Sequence, residues 1–351
     1  MKGIVLSGGK GSRLRPFTYS GAKQLVPVAN IPVLHFPIRQ LVEAGIRDIA
    51  IVVGDTEAQI RAEMGGGERF GARFTYVRQD SPAGIAHGAL ICREFVGDDS
   101  FVLYLGDNVL VGGISGFVRT FEESGADGGV VLRRVPDPRA FGVAVMDSER
   151  LTRVIEKPSE PPTDLAVIGV YAFRPVVFDV IAAQEPSARG ELEIADAING
   201  LLDRGLRVDT SVTAEEWIDT GKMEDMLAAN RTILATIEPG IAPDAQVTGT
   251  SEGAVFVESG ASVVDCLLRG PVAIAAGARL RGSTIGPNVS IGRDCTVEFA
   301  TIENSIVMED TEIRDCPGSV DSMIGRFAHV SGAPAGARLT LGDHSRFEGG
   351  G

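Results

Sequence analysis

The sequence predicts an α/β domain with a mainly parallel sheet, followed by a parallel β-helix. Three observations carry this reading. Short apolar runs alternate with amphipathic segments up to about residue 240, the pattern of a sheet with helices on both faces. Near Glu238–Pro243 the texture changes, and after Pro239 there are no lysines and no segment of helical spacing. From there aliphatic residues recur every five or six positions with small or turn residues between them, the hexapeptide pattern of stacked rungs. The boundary therefore falls between domains of residues 1–239 and 240–351, and 351 residues suit two domains.

Gly3–Ser7 reads as a buried strand, an apolar run closed by glycines. Val33–Glu43 has helical spacing, with Val33, Phe36, Ile38, Leu41 and Val42 apolar. Asp48–Val53 is a second strand, Ala58–Glu63 a helix, Phe74–Arg78 a third strand, Gly84–Cys92 a helix and Ser100–Tyr104 the next strand. Gly128–Arg134 and Phe141–Met146 continue the strands, and Ile194–Arg204 and Lys222–Thr236 read as helices. In the second domain Ile274, Leu280, Ile285, Ile291, Val297, Ile302, Val307 and Ile313 mark the rungs, with Ala276-Gly277-Ala278 and Gly286-Pro287-Asn288 between them. Less regular rungs begin near Val247, Ile324–Val330 repeats the theme, and Phe347–Gly351 reads as a frayed tail.

Composition excludes several classes. Hydrophobic residues at 44% and charged residues at 23% are a globular balance. No apolar run reaches the roughly 18–20 residues of a membrane span. The start, MKGIVLSGGKG, has too short an apolar stretch for a signal peptide, so a soluble cytoplasmic protein is expected. A net charge of −14 disfavours nucleic acid as a partner. The cysteines (Cys92, Cys266, Cys295, Cys316) form no CxxC or Cys/His cluster, so neither a zinc site nor a disulfide framework is indicated and reduced thiols are expected. Only five of the 33 cationic residues are lysines: Lys2, Lys10, Lys23, Lys157 and Lys222.

The strongest local signal is Leu6-Ser7-Gly8-Gly9-Lys10-Gly11-Ser12-Arg13-Leu14-Arg15-Pro16, directly after the first strand. Three glycines let backbone N–H groups approach an anion. Lys10 is followed by Gly, so this is no P-loop, and Leu14 occupies the place of the third glycine of a dinucleotide fingerprint. Arg13 and the downstream Lys23 suit a triphosphate.

The whole string resembles the GGxGTRLxPxT loop of the sugar-phosphate nucleotidyltransferases, with Ser12 for Thr, and most closely that of the glucose-1-phosphate thymidylyltransferases. Ala22–Val28 resembles that family's KQLLPV segment, Gln79–Ala86 its QxxPxGLA stretch and Leu105–Asn108 its GDN. Phe141–Val143, Glu156–Pro158 and Ala166–Tyr171 resemble the sugar-pocket segments, and Arg189–Ile194 and Trp217–Gly221 complete the set. These motifs stand in the family's order over residues 1–235.

The resemblance implies a Rossmann-like nucleotidyltransferase domain followed by a C-terminal left-handed parallel β-helix. It also implies a reaction, the attack of glucose 1-phosphate on the α-phosphorus of dTTP to give dTDP-glucose and pyrophosphate, the first step of dTDP-sugar biosynthesis. Two anions must meet in line, which calls for cations on both. The nucleophile is already an anionic oxygen, so no general base is needed.

By the same resemblance, Arg13 and Lys23 would be the catalytic cations at the phosphates. Leu6, Gly8, Gly9, Gly11, Ser12, Arg13, Gln24, Gln79, Pro82, Gly84 and Asp107 would bind the nucleotide. Gln79 would read the pyrimidine edge and Gly84 would let the base lie against backbone. Gly142, Glu156, Lys157, Val167 and Arg189 would bind the sugar phosphate, with Phe141 where many relatives have Tyr. Asp107 and Asp219 would ligate Mg²⁺, a hard cation that takes one or two carboxylates plus phosphate oxygens. His35 and His87, in apolar or helical contexts, read as structural.

The nearest alternative is a UDP-sugar or other NDP-sugar pyrophosphorylase. A second is a nucleotidyltransferase with an added acyltransferase activity in the β-helix, for which His329 and His344 are the histidines at hand. A β-helix leaves open ends and flat faces, so a homo-oligomer is expected.

Overall fold

A computed structural model describes residues 1–9 and 11–349; Lys10, one of the expected phosphate-loop cations, and Gly350–Gly351 lie outside them. Contacts divide the chain into two compact units. The first is Met1–Gly9 with Leu34–Trp217, and the second is Lys10–Val33 with Ile218–Gly351. This partition of packing differs from the boundary at 239/240 read from texture, because residues 11–33 and 218–239 associate with the C-terminal strands.

The first unit is built on a nine-stranded sheet. Its strands are β1 (Lys2–Leu6), β2 (Asp48–Val53), β3 (Arg73–Arg78), β4 (Phe101–Leu105), β5 (Gly128–Arg134), β6 (Gly142–Asp147), β7 (Arg150–Glu156), β8 (Leu165–Phe173) and β9 (Val208–Thr213). The spatial order is β7-β6-β8-β4-β1-β2-β3, with β5 also on β8 and β9 on β5. β4, β1, β2 and β3 pair in parallel, as do β5 and β9, whereas β8 is antiparallel to β4, β5 and β6. β7 is antiparallel to β6. Only β7 and β8 thus run against the common direction, and the sheet is mainly parallel.

The central strands read as unbroken apolar runs because both faces are covered. Ile49–Val53 of β2 are wholly buried. The helices of six or more residues are α1 (His35–Glu43), α2 (Glu57–Met64), α3 (Ile85–Leu90), α4 (Ser115–Ser124), α5 (Val176–Ile181) and α6 (Ile194–Asp203). α1 covers one face, with Leu41 close enough to Gly3 of β1 that a side chain there would lie 3.1 Å away. The other face holds Ile4 and Phe101 in one core with Ala86 and Ala89 of α3, Phe178 of α5 and Ile198 of α6. Phe101 and Phe178 stack with ring centres 5.2 Å apart.

At the start of α1, His35 Nε2 lies 2.9 Å from Glu63 Oε1 of α2, and Arg69 donates to the same oxygen at 2.7 Å. The His35 contact first, then Arg69, holds the Glu63 carboxyl near pKa 2, against an ordinary 4.5. A depressed folded pKa contributes stability above the unfolded pKa and loses it as pH falls through the folded one. Glu63→Gln should therefore lower the thermal midpoint at pH 7. The gap to wild type should close as pH is lowered from 4.5 towards 2, read by calorimetry across that range. A gap independent of pH would contradict the assignment.

In the second unit the strands form parallel columns with a repeat near 17 residues, as in the register Val255↔Val272, Val272↔Val289, Ile306↔Met323 and Met323↔Thr340. This is a parallel β-helix. One inward column runs Val257, Ile274, Ile291, Val307 and Ile324; a second runs Val263, Leu280, Val297, Ile313 and Val330. All are buried, and each fully buried aliphatic side chain contributes about 1.5–3 kcal/mol relative to exposure. The third column runs Leu268, Ile285, Ile302 and then Ser319, whose hydroxyl meets that of Ser322 at 3.0 Å. The corners take the left-handed conformation at Asp265, Asn288, Asp294, Asn304, Asp310, Asp315 and Asp321, residues that tolerate it best after glycine.

Two expectations are corrected here. The coils begin before Val247, since Gly240–Ile241 already pairs with Phe256–Val257. Phe347 is not in a frayed tail, because Arg346–Glu348 pairs in parallel with His329–Ser331 and Phe347 packs against the core. The helix α7 (Met223–Leu234) and the hairpin Pro27–Val28/Ile31–Pro32 belong to the same unit. The hairpin turns on Ala29 and Asn30, both at positive φ, as a two-residue hairpin turn demands. Asn230 of α7 accepts from the Ala29 N–H at 2.7 Å and from Ser290 Oγ at 3.0 Å, and donates to the Asn288 carbonyl at 3.3 Å. Asn30 donates to the carbonyl of Ile291 at 3.0 Å. The segment carrying Arg13 and Lys23 is thereby seated on the β-helix.

All four cysteines are free and buried. Burial raises all four thiols, those of Cys92 and Cys295 up to about 12, so none is a candidate nucleophile. Among the described residues, no helix is long and apolar enough to cross a membrane.

Candidate active site

The predicted site residues fall into both units, and each set is assembled within its own. In the first unit β1 ends at Leu6, and Ser7 and Gly8 turn past the ends of β2 and β4. The Ser7 N–H donates to the Val52 carbonyl at 2.8 Å, and the Gly106 N–H to the Leu6 carbonyl at 2.9 Å. Gly8 runs so close to Gly54 that a side chain on Gly54 would sit 3.1 Å from the Gly8 carbonyl. Ser7 Oγ, wholly buried, has no hydrogen-bond partner among the described residues. This turn lies at the carboxyl ends of parallel strands, where open α/β sheets bind ligands. Gly9 and Pro82 are exposed.

Gln79 leaves the end of β3 beside it, with Oε1 placed 3.3 Å from where a Gly8 side chain would begin. Gly84 has φ 102°, and a side chain there would collide with the carbonyl of Leu192. The Ala86 N–H donates to that carbonyl at 3.1 Å, and the Leu192 N–H returns to Ala83 at 2.8 Å. Leu192 thus supplies a packing reason for glycine at 84.

Asp107 follows β4 in a turn. Its Oδ1 accepts from Asn108 Nδ2 at 2.8 Å, and Trp217 Nε1 donates to Asn108 Oδ1 at 2.5 Å. Trp217 packs edge-on against Phe141, centres 5.0 Å apart, and the Phe141 carbonyl accepts the Lys157 N–H at 3.0 Å. Asn108 and Trp217 lay inside recognised motifs, but nothing in their spacing announced that they tie Asp107 to the predicted sugar segments.

Those segments do converge. Lys157 adopts positive φ at the end of β7, an uncommon state for a non-glycine residue. Its ammonium lies 3.2 Å from Glu156. Gly142 faces Glu156, whose Oε2 would be 3.4 Å from a side chain there, and Val167. Beyond Val167 the β8–β5 register breaks, resuming at Tyr171, a bulge of the kind that re-aims side chains near sites.

Arg189 is held by carboxylates: Glu193 at 2.8 Å, Glu156 at 3.2 Å and Glu191 at 3.7 Å. The bond to Glu193 chiefly raises its pKa. Glu191 and Glu193 had no predicted role; their number within the Arg189–Ile194 motif was the available signal.

In the second unit Gly11, with φ 60°, opens the short 3₁₀ turn Ser12–Leu14, and its carbonyl accepts from Leu14 N–H at 2.9 Å and Thr18 Oγ1 at 2.8 Å. A side chain on Gly11 would meet Lys23 Cβ at 2.8 Å, so the glycine lets the lysine stem pass. Lys23 is buried, its ammonium 3.9 Å from Asp219 Oδ1. Gly221 brings Arg13 and Asp219 to one place: a side chain there would lie 3.2 Å from the Arg13 guanidinium and 3.5 Å from Asp219 Oδ1. Ser12 and Arg13 are exposed, whereas Gln24 is only 2% exposed with its Oε1 unpartnered among the described residues. Two cations and a carboxylate thus gather around one loop, with the unsatisfied amide of Gln24 next to Lys23 in the chain, a set suited to phosphate and a divalent cation.

Among the described residues no three His, Cys, Asp or Glu side chains gather as a metal cluster. His329 faces Glu312 at 3.4 Å, and His344 stacks on Phe327 with centres 4.9 Å apart.

A glycine-rich turn at the carboxyl end of a parallel sheet and a loop of guarded cations define a class of enzymes that handle phosphorylated nucleotides. The nucleotidyl transferase family model matches residues 2–236, and the chain belongs to that family. It is 46% identical to a glucose-1-phosphate thymidylyltransferase of Streptomyces griseus and 42% identical to one of Streptomyces antibioticus, in each case over 99% of both chains. It is also 44% identical, over 99% of this chain and all of the relative, to the low-salt glycan biosynthesis nucleotidyltransferase Agl11 of Haloferax volcanii. Among solved structures, a putative glucose-1-phosphate thymidylyltransferase from Bacillus anthracis in complex with a sucrose superposes with a TM-score of 0.64. It shares 38% identity, over 68% of this chain and 97% of that one.

Proposed function

We propose that this chain transfers the thymidylyl group of dTTP to α-D-glucose 1-phosphate, giving dTDP-glucose and pyrophosphate. The observation that carries the reading is the 46% identity, from end to end, with a protein named for that activity. An oxygen of the sugar phosphate forms the new bond to the α-phosphorus, and the bond from that phosphorus to the β-bridging oxygen breaks. The displaced electron pair leaves with pyrophosphate, and no proton need be moved.

Arg13 and Lys23 would neutralise charge gathering on the α-phosphate, where fixed donors act most strongly. Leu6, Gly8, Gly9, Gly11 and Ser12 would offer backbone to the triphosphate, Gln24 would turn its unpartnered amide oxygen to the shell of the metal that the triphosphate carries, and Gln79, Pro82 and Gly84 would line the base. Glu156 would bind sugar hydroxyls and Lys157 the sugar phosphate, with Gly142 and Val167 as walls. Arg189, already among carboxylates, would act chiefly by holding Glu156. Asp107 and Asp219, partly accessible hard-oxygen donors, fit Mg²⁺. Such an ion supplies charge neutralisation and a template for the phosphates. Cytoplasmic residence is in keeping with the free thiols, and self-association through the β-helix belongs to the same proposal.

A UDP-sugar pyrophosphorylase is the second reading, favoured by Gln79, since an amide oxygen meets the N3–H of thymine and uracil alike. The purified chain with Mg²⁺ and glucose 1-phosphate should release pyrophosphate fastest from dTTP when dTTP, UTP, CTP, ATP and GTP are compared. Faster release from UTP would move the conclusion to the second reading. No release with any nucleotide and any sugar 1-phosphate would end both.

A further inference from the structure

Gln79 makes two contacts through one end of its amide, to the Gly84 carbonyl oxygen at 3.3 Å and to His87 Nδ1 at 2.9 Å. Which end this is follows from chemistry. A backbone carbonyl only accepts, so the atom facing Gly84 is Nε2, the NH₂ group. Its two hydrogens then go to Gly84 and His87. His87 Nδ1 must accept, which places the ring proton on Nε2. The donor end of Gln79 is fully used, and Oε1 alone is left, beside the Gly8 turn.

The surroundings hold this arrangement. The turn that carries the Gly84 carbonyl is pinned to the backbone of Leu192 on both sides. Position 88 is glycine, and a side chain there would lie 2.9 Å from Leu6 Cδ2 and 3.8 Å from Gln79 Nε2, so α3 passes close enough for His87 to reach the amide.

We infer that His87 is a positioning residue for nucleotide selection: it fixes the Gln79 amide so that only the carbonyl oxygen is presented to the base. A lone acceptor selects a base with an N–H at its pairing edge, such as the N3–H of thymine or uracil. It rejects cytosine, whose N3 is itself an acceptor. Without His87 the amide keeps only the longer 3.3 Å bond to the Gly84 carbonyl, so turning it over costs less and Nε2 can then donate to cytosine N3. This inference rests on the proposed reading, in which Gln79 meets the base.

The test compares kcat/KM for dTTP and CTP in wild type, His87→Phe, His87→Gln and Gln79→Ala. His87→Phe keeps a ring but removes the acceptor. The dTTP-to-CTP preference should fall about tenfold or more, the scale of an unmatched polar contact at a specificity site. The loss should appear in the KM for dTTP and not in that for glucose 1-phosphate. His87→Gln, with an amide oxygen in reach, should restore most of the preference. A ratio within twofold of wild type in His87→Phe, while Gln79→Ala lowers it, overturns the inference and leaves the base contact standing. An unchanged ratio in Gln79→Ala overturns both, and wild type inactive with dTTP overturns the function itself. Should His87→Phe fold poorly, His87→Leu, also lacking an acceptor, is read by the same ratio.

Discussion

Replacing Arg13 by alanine is expected to lower kcat for pyrophosphate release on the order of 100- to 1000-fold, the usual cost of removing one fixed donor from a developing charge. The effect should fall on kcat more than on KM, because the interaction grows as charge collects on the α-phosphate. Stability should hardly change. Arg13 is exposed, and the packing of its turn is done by Leu14, 1% exposed, and by the Gly11 carbonyl. Arg13→Lys keeps the charge but loses the planar fork and should fall between alanine and wild type. Steady-state kinetics with thermal melts on the same preparations decide it. A kcat within threefold of wild type would remove Arg13 from the chemistry.

The parallel strands were legible because burial on both faces leaves unbroken apolar runs. Asp48–Val53 and Gly128–Arg134 are found with the same ends. The β-helix was legible through its period, since each rung turns one aliphatic residue inward. α4 was not, because Val118 and Phe121 are its only buried residues and leave too thin a stripe to register. The strand at Arg346–Glu348 resembles a tail because its partners are supplied by His329–Ser331, far from the local pattern.

The site divides the same way. Motifs identified the residue types, but not who holds whom. Three acidic residues around Arg189 bear on its expected phosphate contact, and His87, expected to be merely structural, reaches Gln79. The seating of residues 11–33 on the coils is long-range packing, to which periodicity is blind.

Ending the chain after Pro239 is expected to abolish activity altogether and to leave a poorly soluble product, although the family model is satisfied by residue 236. The reason is the seat of the phosphate loop. Without the coils, Asn230 loses Ser290 and Asn288, Asn30 loses Ile291, Ser20 loses Asp343 at 2.7 Å, and Leu25 loses the Arg326 guanidinium at 3.4 Å. The apolar residues Leu25, Val26 and Val28, buried in the intact chain, belong to this unit. A graded form of the test is Asn230→Leu. Asn230 is 1% exposed, and its loss strands the Ala29 N–H and the buried Ser290 hydroxyl, at about 1–3 kcal/mol for each buried group left unsatisfied. The variant should melt several degrees lower and, where still folded, lose kcat, because Lys23 and Arg13 ride on the loop it anchors. Full activity in the truncated chain, or a normal kcat in a destabilised Asn230→Leu, would mean that the loop holds its shape unaided and that the β-helix serves another purpose, of which self-association is the first to examine.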